Sequence, residues 1–280
     1  MQLMIYSKAL FSTWIYYSPD RLLFDAGEGI SSYMGNKIFA IKKIFLTHGH
    51  ADHIAGLWGI INSRNNAMGD REKRLEIYFP KDSNAIREYF DFIKRVNSEL
   101  KYELVFYPID ESDKILIKDN GNTKRFVVPF RVKHTMSEPA FGFNVVEERR
   151  KLKEEFLNLS KEKIVELIKK HGKECVTYSY EKKILTISGD TMALEPSIVE
   201  DTDLLLHECT FLNRKDRKGE IHASLDEVME LIQKTGVKNV VLYHISSRYE
   251  STADRIIKKV SNHFTDLNLE YVYPGKLWIR

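Results

Sequence analysis

Cysteine is almost missing. The 280-residue chain has two, Cys175 and Cys209, so no disulfide framework can staple it and stability must come from a buried core. Long apolar runs are missing too. No stretch of about 18 apolar residues occurs, which excludes a membrane-spanning helix. Met1 to Phe11 carries one lysine and no apolar segment ending in a small-residue cleavage site, so no secretory signal is expected and the expected compartment is the cytoplasm. Low-complexity segments and short repeats are absent. Nor does charge of one sign dominate: 43 Lys and Arg against 40 Asp and Glu leave +3, which by itself favours no partner.

What is present reads as a large α/β domain spanning 1–280. Apolar runs read as buried strands over Arg21–Phe24, Ile41–Thr47, Arg125–Lys133, Ile184–Ser188, Asp203–Leu206 and Asn239–Tyr243. Helical spacing separates them: Ile54, Leu57, Trp58 and Ile61 in His53–Ile61, then Ile86, Tyr89, Phe90, Ile93 and Val96 in Asp82–Asn97. Ser224-Leu-Asp-Glu227 predicts a capping box opening a helix that stops at Gly236. The stretch 147–183 stands apart. It has few strand signals, and two short helices fit it, one through Leu152 and Phe156, the other through Ile164, Leu167 and Ile168 and ending near Gly172. Its eleven Lys and Arg against eight Glu give a surplus of three, equal to that of the whole chain. It reads as an insertion projecting from the body.

The chemistry concentrates in Thr47-His48-Gly49-His50-Ala51-Asp52-His53, between a predicted strand and a predicted helix. Three imidazoles and a carboxylate within six residues need partners if buried, and their donor atoms suit Zn²⁺ or a similar divalent ion. His48 and His50 can approach one ion, Asp52 and His53 a second. His134, Asp190 and His244 each follow a predicted strand. Seven potential ligands suffice for two ions, with Asp190 able to bridge them, and two such ions suit displacement at a phosphodiester.

The pattern His-x-His-x-Asp-His with distal His134, Asp190 and His244 resembles the metallo-β-lactamase superfamily, whose fold is an αββα sandwich. Within it, His207-Glu208-Cys209-Thr210, His222-Ala223-Ser224, His244-Ile-Ser-Ser-Arg248-Tyr249 and Asp25-Ala-Gly-Glu28 resemble segments of ribonuclease Z, the tRNA 3′-processing endonuclease. The resemblance implies roles. His48, His50 and His134 would hold one Zn²⁺, Asp52, His53 and His244 a second, and Asp190 would bridge; Mn²⁺ could also serve. Asp52 would accept or orient the proton of the attacking water. His222, held by Glu208, would be the general acid. The insertion would be a tRNA-gripping arm, with Arg149, Arg150, Lys151, Lys153, Lys169 and Lys170 as phosphate contacts and Arg248 as a further one near the site. Precursor tRNA is then the expected partner, in a homodimer where one subunit's arm holds the tRNA cut by the other; DNA and membrane are not expected.

The departures are also specific. Met4 to Tyr17 lacks the family's Pro-x-Lys-x-Arg-Asn signature, which bears on whether the cut falls after the discriminator base or after an encoded CCA. The insertion has charged helical patterns where a Gly-Pro-rich tip is usual. Two other functions compete. A superfamily phosphodiesterase acting on small or cyclic diesters would share the metal site and need no arm. The other is a non-catalytic RNA-binding or metal-storage protein, and the intact set of seven ligands with Asp52 speaks against a dead enzyme.

Overall fold

The computed structural model describes residues 2–67, 73–121 and 123–280. Among them, fourteen strands, β1–β14, form two seven-stranded sheets. The first holds β1 (Leu3–Lys8), β2 (Ser12–Tyr17), β3 (Leu22–Phe24), β4 (Lys43–Phe45), β5 (Leu75–Pro80) and β6 (Leu104–Ile109), with β14 (Leu277–Ile279) beside β1. The second runs, in spatial order, β13 (Asn268–Tyr271), β12 (Asn239–Tyr243), β11 (Leu205–Glu208), β10 (Thr177–Ile187), β9 (Ala140–Leu152), β8 (Lys124–Val132) and β7 (Ile115–Asp119).

Alternation along the strands explains the layering. Leu22, Phe24, Phe45, Phe143 and Val145 point between the sheets, whereas Leu23 and Ile44 point outward. The outward faces are also apolar because helices cover them. Ile60, Ile61, Ile86, Phe90 and Ile93 pack on the first sheet, and Leu225, Val228, Leu231, Ile232 and Ile257 on the second. Strands buried on both faces lose period-2 patterning and read as continuous apolar runs. The result is the expected αββα sandwich.

Two expectations need correcting. The helix expected over His53–Ile61 is two helices, Ala51–Ile54 and Leu57–Ala67. Between them the Gly56 N–H donates to the Ala26 carbonyl at 2.7 Å, and a Cβ on Gly56 would lie 2.1 Å from the Gly27 carbonyl oxygen. That close approach turns the backbone onto the Asp25–Glu28 loop.

The second correction concerns 147–183. No helix passes through Leu152. Strand β9 continues to Leu152 and pairs antiparallel with β10 from Thr177 onward, so a β-ribbon carries the insertion. Phe156 lies in a single 3-10 turn, Glu154–Phe156. The second helix forms as expected, Lys161–His171, with Ser160 accepting from the Lys163 N–H and Gly172 at its end. The ribbon escaped detection because outside the body neither face is buried, so no apolar alternation marks it. Its geometry also sets direction. Phe141 donates to the Thr47 carbonyl beside the metal motif, so the ribbon leaves the sandwich at the opposite end.

Candidate metal centre

The seven side chains converge where β3, β4, β8, β10 and β12 end. His48, His50 and His134 place ligand atoms within 4.8 Å of one another, as do Asp52, His53 and His244, and as do His48, His53 and Asp190. Asp190 Oδ2 lies 3.3 Å from both His53 Nε2 and His244 Nε2, and 4.0 Å from His48 Nε2 and His134 Nε2. The structure therefore brings together the residues of the two triads that the resemblance implies, with Asp190 beside both.

The donor set fits divalent ions on three counts. His50 Nδ1 sits 3.0 Å from His48 Nε2 and 3.1 Å from His134 Nε2, so three ring nitrogens face one point. Second, His53 Nε2 and Asp190 Oδ1 are buried with no hydrogen-bond partner among the described residues, and His53 Nε2 lies 3.3 Å from Asp190 Oδ2 within the cluster; such orphaned polar atoms are costly unless something satisfies them. Third, the outward nitrogens are already engaged. His48 Nδ1 meets Thr47 Oγ1 at 2.9 Å, His53 Nδ1 meets Asp25 Oδ2 at 2.7 Å, His134 Nδ1 meets the Ile221 carbonyl at 3.1 Å and His244 Nδ1 meets Thr210 Oγ1 at 2.9 Å. Fixing Nδ1 leaves each Nε2 to face the centre.

Electrostatics follow from crowding. Burial pushes the His48 imidazole well down, and positive charge on His53 adds to it. For His53 burial acts the same way, but Asp190 and Asp25 override it and raise the ring well above its ordinary value. Asp190 is held well below the usual carboxylate range, because His244 and His53 outweigh its burial. Asp52 is also lowered against burial, through its hydrogen bond to His244. His244 takes a left-handed φ of 59° and Asp25 one of 58°, a strained conformation that the surrounding contacts must hold.

Beside this cluster stands His222. Its Nδ1 is 2.9 Å from Glu208 Oε1, and its ring centroid is 4.9 Å from that of His134 and 5.3 Å from that of His244. Glu208 is fully buried, yet amply satisfied: Oε1 also accepts from the Thr191 and Ala223 N–H groups, and Oε2 from the Thr210 N–H and hydroxyl. Burial favours the neutral ring of His222, and Glu208 overrides it, raising its pKa.

Comparison with known proteins completes the picture. The Metallo-beta-lactamase superfamily model matches residues 12–244. The Ribonuclease Z of Listeria welshimeri is 32% identical over 261 residues, covering 84% of this chain and 81% of its own. The chain belongs to the ribonuclease Z family. The Ribonuclease Z of Listeria monocytogenes is 30% identical over 282 residues, covering 90% of this chain and 88% of its own. The fold is shared with human tRNase Z, short form, at a TM-score of 0.64 and 19% identity, covering 99% of this chain and 98% of that one. A ribonuclease Z is a hydrolase of the metallo-β-lactamase superfamily, and membership of that superfamily together with the cluster makes this a divalent-metal centre.

Not every expected residue reaches the centre. Arg248 lies nearby with its guanidinium 5.6 Å over the Phe211 ring. On the insertion, Arg149 pairs with Glu147 at 2.7 Å, Arg150 with Glu174 at 2.8 Å, and Lys153 Nζ donates to the Cys175 carbonyl at 2.8 Å. Lys151, Lys169 and Lys170 are exposed. Of the family segments read from sequence, Asp25-Ala-Gly-Glu28 had no role assigned to it. Here Asp25 accepts from the Thr47 N–H at 2.8 Å as well as holding His53. Its position directly after β3 was the available signal. Asp25→Asn is expected to weaken metal affinity about 10–100-fold while the fold persists, as read by chelator competition; unchanged affinity would show that His53 needs no such partner.

Proposed function

We propose that this protein is a zinc-dependent endoribonuclease that removes the 3′ trailer from precursor tRNA in the cytoplasm. The observation that carries the reading is the pairing of a seven-ligand centre with His222 and Glu208 at its edge. That combination supplies what phosphodiester cleavage with an alkoxide leaving group needs. Family membership supports tRNA as the substrate.

Two Zn²⁺ would be held by His48, His50 and His134, and by Asp52, His53 and His244, with Asp190 between them; Mn²⁺ is the alternative. Bound divalent ions would lower the pKa of the attacking water and offset charge building on the phosphoryl oxygens. Asp52 Oδ2, 3.5 Å from His244 Nε2, orients that water and takes its proton. His222, whose pKa Glu208 raises, gives a proton to the departing 3′ oxygen. The P–O3′ bond breaks, leaving a 3′-hydroxyl on the tRNA and a 5′-phosphate on the trailer.

The insertion acts as the arm. Its ribbon leaves the body at the end remote from the metal centre, which supports a homodimer in which one subunit's arm grips the tRNA cut by its partner. Deleting Arg149–Lys173 is the test. Cleavage of precursor tRNA is expected to fall steeply, while hydrolysis of a small chromogenic phosphodiester persists. Unimpaired tRNA cleavage would contradict the reading and favour an enzyme of small diesters.

A further inference from the structure

The projecting ribbon has two unlike faces. Its register opposes Tyr178 to Lys151 and Tyr180 to Arg149, and directly opposed residues share a face. That face carries two aromatic rings and two cations. The other opposes Ser179 to Arg150 and Glu181 to Glu148, and its one cation is paired with Glu174. Both tyrosines are exposed, by 44% and 38%. Their ring centroids are 6.3 Å apart and their planes tilted by 48°, so neither ring covers the other.

The aromatic face continues the inner face of the second sheet. Phe141, Phe143 and Val145 point into the core between the sheets, and by alternation Glu147, Arg149 and Lys151 follow on the same side. Past Glu147 that side opens toward the end of the first sheet where β3 and β4 begin. There lies a cavity of about 360 Å³ lined by Asp20, Arg21, Lys42, Lys43, Lys118 and neighbours. Ion pairs join this floor to the ribbon: Asp20 Oδ2 to Arg125 Nη1 at 2.6 Å, Arg125 Nε to Glu147 Oε2 at 3.2 Å, and Glu147 Oε1 to Arg149 Nε at 2.7 Å. They engage the local carboxylates, and Lys43 is engaged by Glu76. Arg21, Lys42 and Lys118 are exposed and form no ion pair among the described residues. Arg21 also takes a left-handed φ of 58°, where glycine or asparagine would be less strained. The turn alone gives no reason for an arginine there.

We propose that this concave surface binds the folded part of the RNA substrate, with backbone phosphate over Arg21, Lys42 and Lys118 and an unstacked base against Tyr178 or Tyr180. The inference rests on the precursor-tRNA reading and adds the contact surface to it. Free cations neutralise phosphate without reading sequence, and exposed rings beside them stack on bases. An acidic protein would use the cations and leave the rings without a role. Ten strand residues separate Phe141 from Lys151, roughly 33 Å, so the contact lies far from the scissile bond.

The test uses full-length variants, precursor tRNA at several salt concentrations, and a small chromogenic phosphodiester. Tyr178→Ala with Tyr180→Ala is expected to weaken tRNA binding about ten-fold or more, and phenylalanine at both positions to restore it. Arg21→Gly with Lys42→Ala is expected to reduce the slope of log affinity against log salt by about one to two. Glycine suits the left-handed turn, so a loss there cannot come from the backbone. Hydrolysis of the small diester should be unchanged in every variant, which also reports folding. Wild-type tRNA affinity in both double variants would overturn the proposal, as would an equal loss in Arg150→Ala on the opposite face. In either case wild-type cleavage of precursor tRNA would leave the functional reading standing. A wild-type enzyme that hydrolyses the small diester but spares precursor tRNA would remove both.

Discussion

Asp190→Asn is expected to lower phosphodiester hydrolysis by about 10³-fold or more, because metal catalysis supplies several kcal/mol of charge stabilisation and the variant cannot hold the ions. The reason is positional. Asp190 Oδ2 lies 3.3–4.0 Å from Nε2 of His48, His53, His134 and His244, so one carboxylate faces nearly the whole ligand set. His244 and His53 hold it ionised despite its burial. An amide keeps the volume and loses the charge. Metal content after gel filtration and hydrolysis of a small diester should fall together. Full metal occupancy with normal turnover in Asp190→Asn would contradict the assignment of the bridge.

His222→Ala is expected to lower kcat on tRNA by about 10²–10⁴-fold with metal content unchanged, the range for losing a general acid. His222 is tied to the buried Glu208 at 2.9 Å and stands beside the ligand histidines without being one of the seven. A small diester with a phenolate leaving group departs without a proton, so the loss there should be far smaller. Equal losses on both substrates would instead assign His222 to holding the centre together. Glu208→Gln should lower tRNA turnover as well, and combining it with His222→Ala should add little, since the two act as one unit.

Much of this centre was legible in the sequence because its ligands obey a simple rule. His134, Asp190 and His244 each follow an apolar run, and strand ends are where a sheet presents side chains without burying them in the core. Asp25 obeys the same rule after Leu22–Phe24, yet a lone aspartate in a turn has many uses and only the 2.7 Å contact with His53 shows this one. Thr47 and Thr210 were illegible for a similar reason, since a hydroxyl's partner is set by tertiary placement. The α/β class was legible from strands and helices alternating along the chain, and the αββα sandwich only through the family resemblance. The ribbon was not. Arg149, Lys151, Tyr178 and Tyr180 alternate with polar residues on a ladder in which none of them is buried, so the periodicity that reveals buried strands is missing. The sign of its two faces became visible only through register.

Register also changes the meaning of the net charge. The surplus of three in 147–183 is not spread over the insertion. Arg149 and Lys151 lie beside tyrosines on one face, Arg149 paired with Glu147, and Arg150 on the other face is paired with Glu174. On the proposed reading, grip on RNA would depend on arrangement more than on number. The hairpin of β1 and β2, where the family signature is lacking, presents Leu10 and Phe11 to solvent at its turn.

The most direct test of the central claim is incubation of the purified protein with precursor tRNA, with and without chelator, followed by sequencing of the product ends. The account predicts a single metal-dependent cut that yields a tRNA ending in a 3′-hydroxyl and a trailer beginning with a 5′-phosphate. Uncut precursor alongside active hydrolysis of a small diester, or cleavage that survives the chelator, would contradict it.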